Sequence, residues 1–176
     1  RLSLVGSEMC IRDRSVYYEI IRQKTAALIA SCCAMGAQTV NASAEDVAKM
    51  HHFGEHIGMA FQIKDDLFDY GSRNIGKPIG IDIKEQKMTL PLIYALQNCS
   101  TATRRKTINT IKRHHNNPKK VNEVIAFVRE SGGIEYASKQ MNAYQEKAID
   151  IISEVPDSEV KQALSKLIEY VIERKK

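Results

Sequence analysis

Four polar residues on one predicted helix have the types and spacing for chemistry. In the stretch GMAFQIKDDLFDY, residues 58–70, a turn of roughly 100° per residue places Gln62, Asp65, Asp66 and Asp69 within about a third of the helix circumference. Ala60, Ile63, Leu67 and Tyr70 fall on the opposite side, where they can pack. Like charges at i,i+3 and i,i+4 destabilise a helix by about 0.2–0.5 kcal/mol per pair, and Lys64, the nearest cation, points off the stripe. A hard divalent cation would resolve the repulsion, because carboxylate oxygens suit Mg²⁺ and its remaining positions can take phosphate oxygens. A solvated acidic face is the alternative reading of the same three aspartates.

The loop after this helix favours a phosphate ligand. GSRNIGKPIG, residues 71–80, contains three glycines and Pro78 and brings Lys77 directly after the acidic stripe, with Lys87 a few residues further on, just before Thr89. Ammonium groups beside a carboxylate-held metal suit a diphosphate: the metal neutralises part of its charge and the lysines the rest. Upstream, Lys24 and Thr25 interrupt an apolar helical pattern with a cation and a hydroxyl. Each lysine alone reads as a surface residue; their placement with DDxxD is the informative signal.

The elements that must position these groups are helices. Helical patterns cover residues 15–39, 44–70, a short stretch from Pro91 to about Asn98, then 102–115, 119–131, 134–154 and 158–175. Asn41–Ser43, Gly132–Gly133 and Val155–Asp157 punctuate them, and Glu45 and Asp46 sit where a helix dipole favours acids. No strand-like alternation and no repeat is present, so the fold class is all-α. At 176 residues, 43% hydrophobic and 27% charged, the chain suits one soluble domain, and no apolar run reaches the ~20 residues of a membrane-spanning helix. The net charge of +5 favours anionic partners, but Lys and Glu are interspersed along the helix faces and no nucleic-acid recognition motif accompanies them. Cys10, Cys32, Cys33 and Cys99 lack metal-ligand or CxxC spacing. A reducing, cytoplasmic setting is expected, with Cys32 and Cys33 as small buried hydrophobes. His51, His52 and His56 include an i,i+4 pair but lack the HExxH order of a zinc helix, and read as packed or solvated.

Residues 1–14, RLSLVGSEMCIRDR, carry no helical stripe that continues into the helix beginning near Ser15, and they resemble a translated sequencing-adapter artefact; residues 15–176 are expected to be a partial domain. KTAAL, GMAFQIKDDLFDY and GKPIGIDIKEQKMTLPLIYAL resemble the C-terminal half of the trans-type polyprenyl diphosphate synthases, DDLFD matching that family's second aspartate-rich motif. Gln86 departs from it, since many members carry glycine before the lysine. The family's first aspartate-rich motif, paired arginines and isopentenyl-diphosphate-binding residues have no counterpart here. The resemblance implies half of an isoprenoid-synthase helical bundle and a condensation of isopentenyl diphosphate with an allylic diphosphate. It also implies Mg²⁺ held by Asp65, with Asp66 and Asp69 completing the site directly or through water. Lys24, Lys77 and Lys87 match the lysines that grip the allylic diphosphate, Thr25 and Gln62 the polar groups facing the developing cation, and Phe61 an aromatic lining the homoallylic pocket. A homodimer with residues 16–39 near its interface is implied as well. A class I terpene cyclase and a non-catalytic helical subunit of a prenyltransferase are the alternatives; the GKPxGxD loop opposes the first, the retained aspartates and lysines the second. Without a second acidic helix, Asp65, Asp66 and Asp69 are expected to face solvent and the chain alone to lack turnover.

Overall fold

The structure, a computed structural model, describes residues 14–71 and 79–174. In chain order it comprises α1 (Arg14–Ile21), a π turn (Arg22–Ala26), α2 (Ala27–Thr39), α3 (Ala44–Phe68), α4 (Ile81–Lys84), α5 (Leu90–Gln97), α6 (Thr101–His114), α7 (Pro118–Glu130), α8 (Gly133–Ser153) and α9 (Glu159–Glu173). Among the described residues there is no strand, and no helix is long and apolar enough to cross a membrane.

Side-chain caps set four of the helix starts. Ser43 Oγ accepts from Asp46 N at 3.1 Å and donates to the Asp46 carboxylate at 2.7 Å, which fixes the start of α3. Ser100, Asn117 and Ser158 accept backbone N–H groups at the starts of α6, α7 and α9, with Pro118 in the first turn of α7 where its missing N–H costs nothing. Lys112, Arg113 and His114 occupy the last turn of α6, where cations favour the helix dipole.

The chain divides into two compact units. Of the described residues, one contains 14–17, 65–71 and 79–138. Its core is built on Tyr17, Tyr70, Ile83, the apolar α5, Ile111 and the Val121, Val124, Ile125 and Val128 stripe of α7. Arg129, at the end of α7, donates to the carbonyls of Tyr70 and Gly71 and so ties down the exit from α3. The other unit contains residues 18–64 and 139–174, with Phe53, Ile57, Met59, Ile63, Ala148, Ile152 and Ile168 inside. There α3 crosses the α1–α2 helix without room for a side chain: a Cβ on Gly58 would lie 2.5 Å from Ala26 Cα, and one on Gly54 2.8 Å from Ala30 Cα.

Three local features differ from the sequence pattern. The helix expected over 15–39 is interrupted by the π turn. The helix expected to reach Tyr70 ends at Phe68, and α4 adds a single turn beyond the loop. Cys32 is exposed and Cys33 half-buried, correcting the expectation that both are buried. They lie on neighbouring positions of α2, and only Cys33 turns partly inward, where burial pushes its thiol pKa up. Among the histidines, the His52 and His56 rings stack at 6.4 Å and His56 packs on Tyr144 at 5.9 Å. Tyr170 of α9 is 65% exposed.

Candidate functional site: the acidic end of α3

The aspartates sit where α3 ends, and the backbone there explains their arrangement. Asp69 lies one residue past the helix, and its carboxylate reaches forward to the start of α4. Ile81 N donates to Oδ1 at 2.7 Å and Asp82 N to Oδ2 at 3.2 Å. Gly80 N donates to the Asp69 carbonyl at 3.1 Å, and Gly80 itself adopts φ 77°, a left-handed conformation suited to glycine. One turn earlier, Asp66 Oδ2 accepts from Tyr17 Oη at 2.8 Å and from Leu90 N, at the start of α5, at 3.2 Å. Tyr70 Oη and Thr89 Oγ1 share a buried hydrogen bond of 2.7 Å beneath them. Orphan N–H groups at two helix starts thus stabilise the repulsive carboxylates, a source of compensation far from them in sequence.

The expectation that the three aspartates face solvent is corrected: Asp69 is only 8% exposed, and Asp65 and Asp66 are half-buried. The cause is the packing of α4, α5 and Tyr17 over the helix end. Burial pushes the Asp66 carboxyl up to about 7, against the lowering effect of its bonds from Tyr17 and Leu90. Burial, and then the Asp82 charge, raise Asp69 as well. Asp65 is half-buried on the same turn.

Lys87 lies beside this acidic end and is already paired, with Glu85 Oε2 at 2.6 Å and Asp82 Oδ1 at 3.0 Å. The bond to Glu85 raises its pKa. Gln86, just before it, has φ 57°. This is why glycine is the natural residue at that position: a side chain in the left-handed region is strained. Gln86 offsets part of that strain by bonding His115 Nδ1 at 2.9 Å. Lys77 lies outside the described residues.

Four of the expected site residues belong to the other unit. Lys24, exposed, and Thr25, half-buried, both lie in the π turn; such turns insert an extra residue and frequently mark functional positions. Gln62 is 8% exposed within α3. Phe61 is covered by Arg174, whose guanidinium carbon lies 3.8 Å from the ring centroid and whose Nη2 donates to the Phe61 carbonyl at 3.2 Å.

Sequence reasoning missed Tyr17, Asp82, Glu85, Arg129 and Arg174. Tyr17 lies in an apolar phase and nothing local distinguishes its hydroxyl. Asp82 stands inside GKPIGID and could have been suspected from that run alone.

The donor set fits a hard divalent cation in chemistry: burial first, and then the neighbouring acidic charges, disfavour the ionised forms of Asp66 and Asp69, and a cation beside them would favour those forms. Among the described residues, no three acidic, His or Cys side chains already converge on one point.

The helices and this acidic end define an all-α protein of the isoprenoid-synthase type. The chain belongs to the polyprenyl synthetase family, whose sequence pattern matches residues 7–128 and so begins within the first fourteen residues. It is 35% identical over 160 residues to a short chain isoprenyl diphosphate synthase of Methanothermobacter thermautotrophicus, covering 90% of this chain and 49% of that protein. A geranylgeranyl pyrophosphate synthase structure from Bacteroides thetaiotaomicron superposes with a TM-score of 0.84 at 40% identity, covering 92% of this chain and 54% of the other. The corresponding enzyme of Corynebacterium glutamicum, crystallised with calcium and isoprenyl diphosphate, gives a TM-score of 0.80 at 33% identity, covering 90% and 50%. The chain therefore spans about half the length of the relatives it matches.

Proposed function

We propose that this chain supplies the second aspartate-rich helix of a prenyltransferase that joins isopentenyl diphosphate to an allylic diphosphate, giving a longer polyprenyl diphosphate. The observation that supports this most is the bracing of Asp66 and Asp69 by Tyr17 Oη and by the helix starts at Ile81–Asp82 and Leu90, which holds an acidic stripe in one geometry. Mg²⁺, when bound, would neutralise charge building on the leaving diphosphate. Asp65 is the proposed ligand, with Asp66 and Asp69 completing the site directly or through water. Lys24, Lys77 and Lys87 grip the allylic diphosphate; Lys87 does so by exchanging its contacts with Glu85 and Asp82 for phosphate oxygens. Thr25 and Gln62 aim dipoles at the developing allylic cation, and Phe61 lines the pocket for isopentenyl diphosphate. Charge builds on the leaving group on the way to the transition state, so these cations favour it over the ground state.

The protein works in the cytoplasm as a homodimer in this reading. Ala26 and Ala30 are buried within their own unit. Leu28 and Met35, 69% and 66% exposed, share an uncovered apolar side of α2, and that surface supports the dimer.

The test is Asp65→Ala in enzyme that contains both aspartate-rich helices. Turnover is expected to fall at least ~100-fold, the order seen when a key electrostatic stabiliser is removed. Unchanged kinetics at saturating Mg²⁺ would refute the assignment.

A further inference from the structure

The mixing of Lys and Glu that holds along most of the chain fails in one place. Residues 86–122 contain eight Lys and Arg and not one Asp or Glu. That stretch holds +8 while the whole chain has +5, so everything outside it is net negative. The fold concentrates the charge further. On α6, Arg105, Lys106, Lys112 and Arg113 are all exposed and fall within about a third of the helix circumference. Thr107 and Ile111, on the opposite side, are buried. Lys119, at the start of α7, is exposed just beyond the turn. An open depression of ≈ 780 Å³ there is lined by Arg113, His114, Asn116, Asn117, Pro118 and Lys119, room for a lipid headgroup.

Cations with structural duties stand apart from this face. Arg104 donates to the carbonyls of Leu96 and Gln97, and Lys120 is paired with Glu123 at 2.8 Å. Lys106 lends some of its charge to Glu123, whose pKa is lowered chiefly by Lys120. Arg105, Lys112 and Arg113 make no ion pair among the described residues.

We propose that this outer face of α6, continued by Lys119, docks on an anionic phospholipid bilayer. A row of cations without intervening acids matches a negatively charged lipid surface, to which each Lys or Arg adds about five-fold in binding. Nucleic acid is the less suitable partner. Residues 95–126 contain no Tyr, Phe or Trp, so the face lacks the stacking platform that single strands require. The preference for lipid rests also on the proposed reaction, whose prenyl product has a chain that must leave water.

Vesicle flotation tests this directly, because aggregated protein does not float and turnover is not read. A failure of the prenyltransferase assignment would leave the result untouched. The 176-residue chain is expected to float with phosphatidylserine-containing vesicles at low salt, to be released by high salt, and to ignore pure phosphatidylcholine. Arg105→Gln, Lys112→Gln and Arg113→Gln together should weaken binding about 100-fold, while Arg105→Lys with Arg113→Lys should retain it. Lys139→Gln, Lys147→Gln and Lys166→Gln lower the net charge equally and should retain most of the binding. Equal losses in the two triple variants, flotation with neutral vesicles, or displacement by an oligonucleotide at matched charge would each overturn the proposal.

Discussion

Two identical substitutions, Gly58→Ala and Gly36→Ala, should shift stability in opposite directions. Alanine is favoured over glycine in a helix interior by about 0.5–1 kcal/mol, and both glycines are helical. At Gly36 a Cβ meets nothing within 4 Å, so that preference is realised in full and Gly36→Ala should stabilise by ~0.5–1 kcal/mol. At Gly58 the new Cβ would stand 2.5 Å from Ala26 Cα, 2.8 Å from Ala26 Cβ and 3.3 Å from Ala26 N. Carbon atoms rest about 3.5–4.0 Å apart, and the obstacle is backbone and a methyl rather than a flexible tip, so the helices must separate. Overpacking of this kind costs about 1–3 kcal/mol; with the helical gain subtracted, a net loss of ~1–2 kcal/mol is expected. Urea unfolding followed by far-ultraviolet circular dichroism would measure both. The displaced segment is the π turn that bears Lys24 and Thr25, and a shift near 1 Å can cost about 10²-fold in rate. Assay of Gly58→Ala in enzyme with both aspartate-rich helices should therefore show a turnover defect larger than the stability loss explains. Equal stability of the two variants would refute the close approach of α3 to the turn.

At Gln86, Gln86→Ala keeps the positive φ and loses the bond to His115, so it should cost ~1 kcal/mol, while Gln86→Gly relieves the strain and should be the more stable of the two variants. Denaturant midpoints ranking alanine above glycine would contradict the strained turn. His56 gives a pH signature: burial first, and then the Lys147 charge, hold its pKa below the ordinary 6.5. The unfolded chain then binds more protons below that pH, so the stability from keeping His56 neutral is present above about 6.5 and is lost as pH falls through the folded-state value. His56→Gln should flatten the fall in urea midpoint on the acid side of 6.5; an unchanged slope would exclude His56 as its source.

The sequence alone determined most of the longer helices, though not α4 or the end of α3 at Phe68, because periodicity and caps are local: Ser43, Ser100, Asn117 and Ser158 stand at helix starts that the structure realises within a residue or two. It also determined the acidic stripe, since three aspartates at helical spacing share a face in whatever fold contains them. Gln86 was visible as an oddity, a side chain where glycine is common, but its positive φ and its partner on α6's far end come from a turn closed by tertiary contacts. At the π turn the sequence showed only that Lys24 and Thr25 break the apolar pattern; the inserted residue is held by the helix that crosses at Gly58. The environment of the aspartates lay furthest from the sequence. Their N–H donors stand 12 to 24 residues away, at Ile81, Asp82 and Leu90. Hydrogen bonding and burial act through space, so which residues quiet a cluster of charges is decided by the elements that fold onto it.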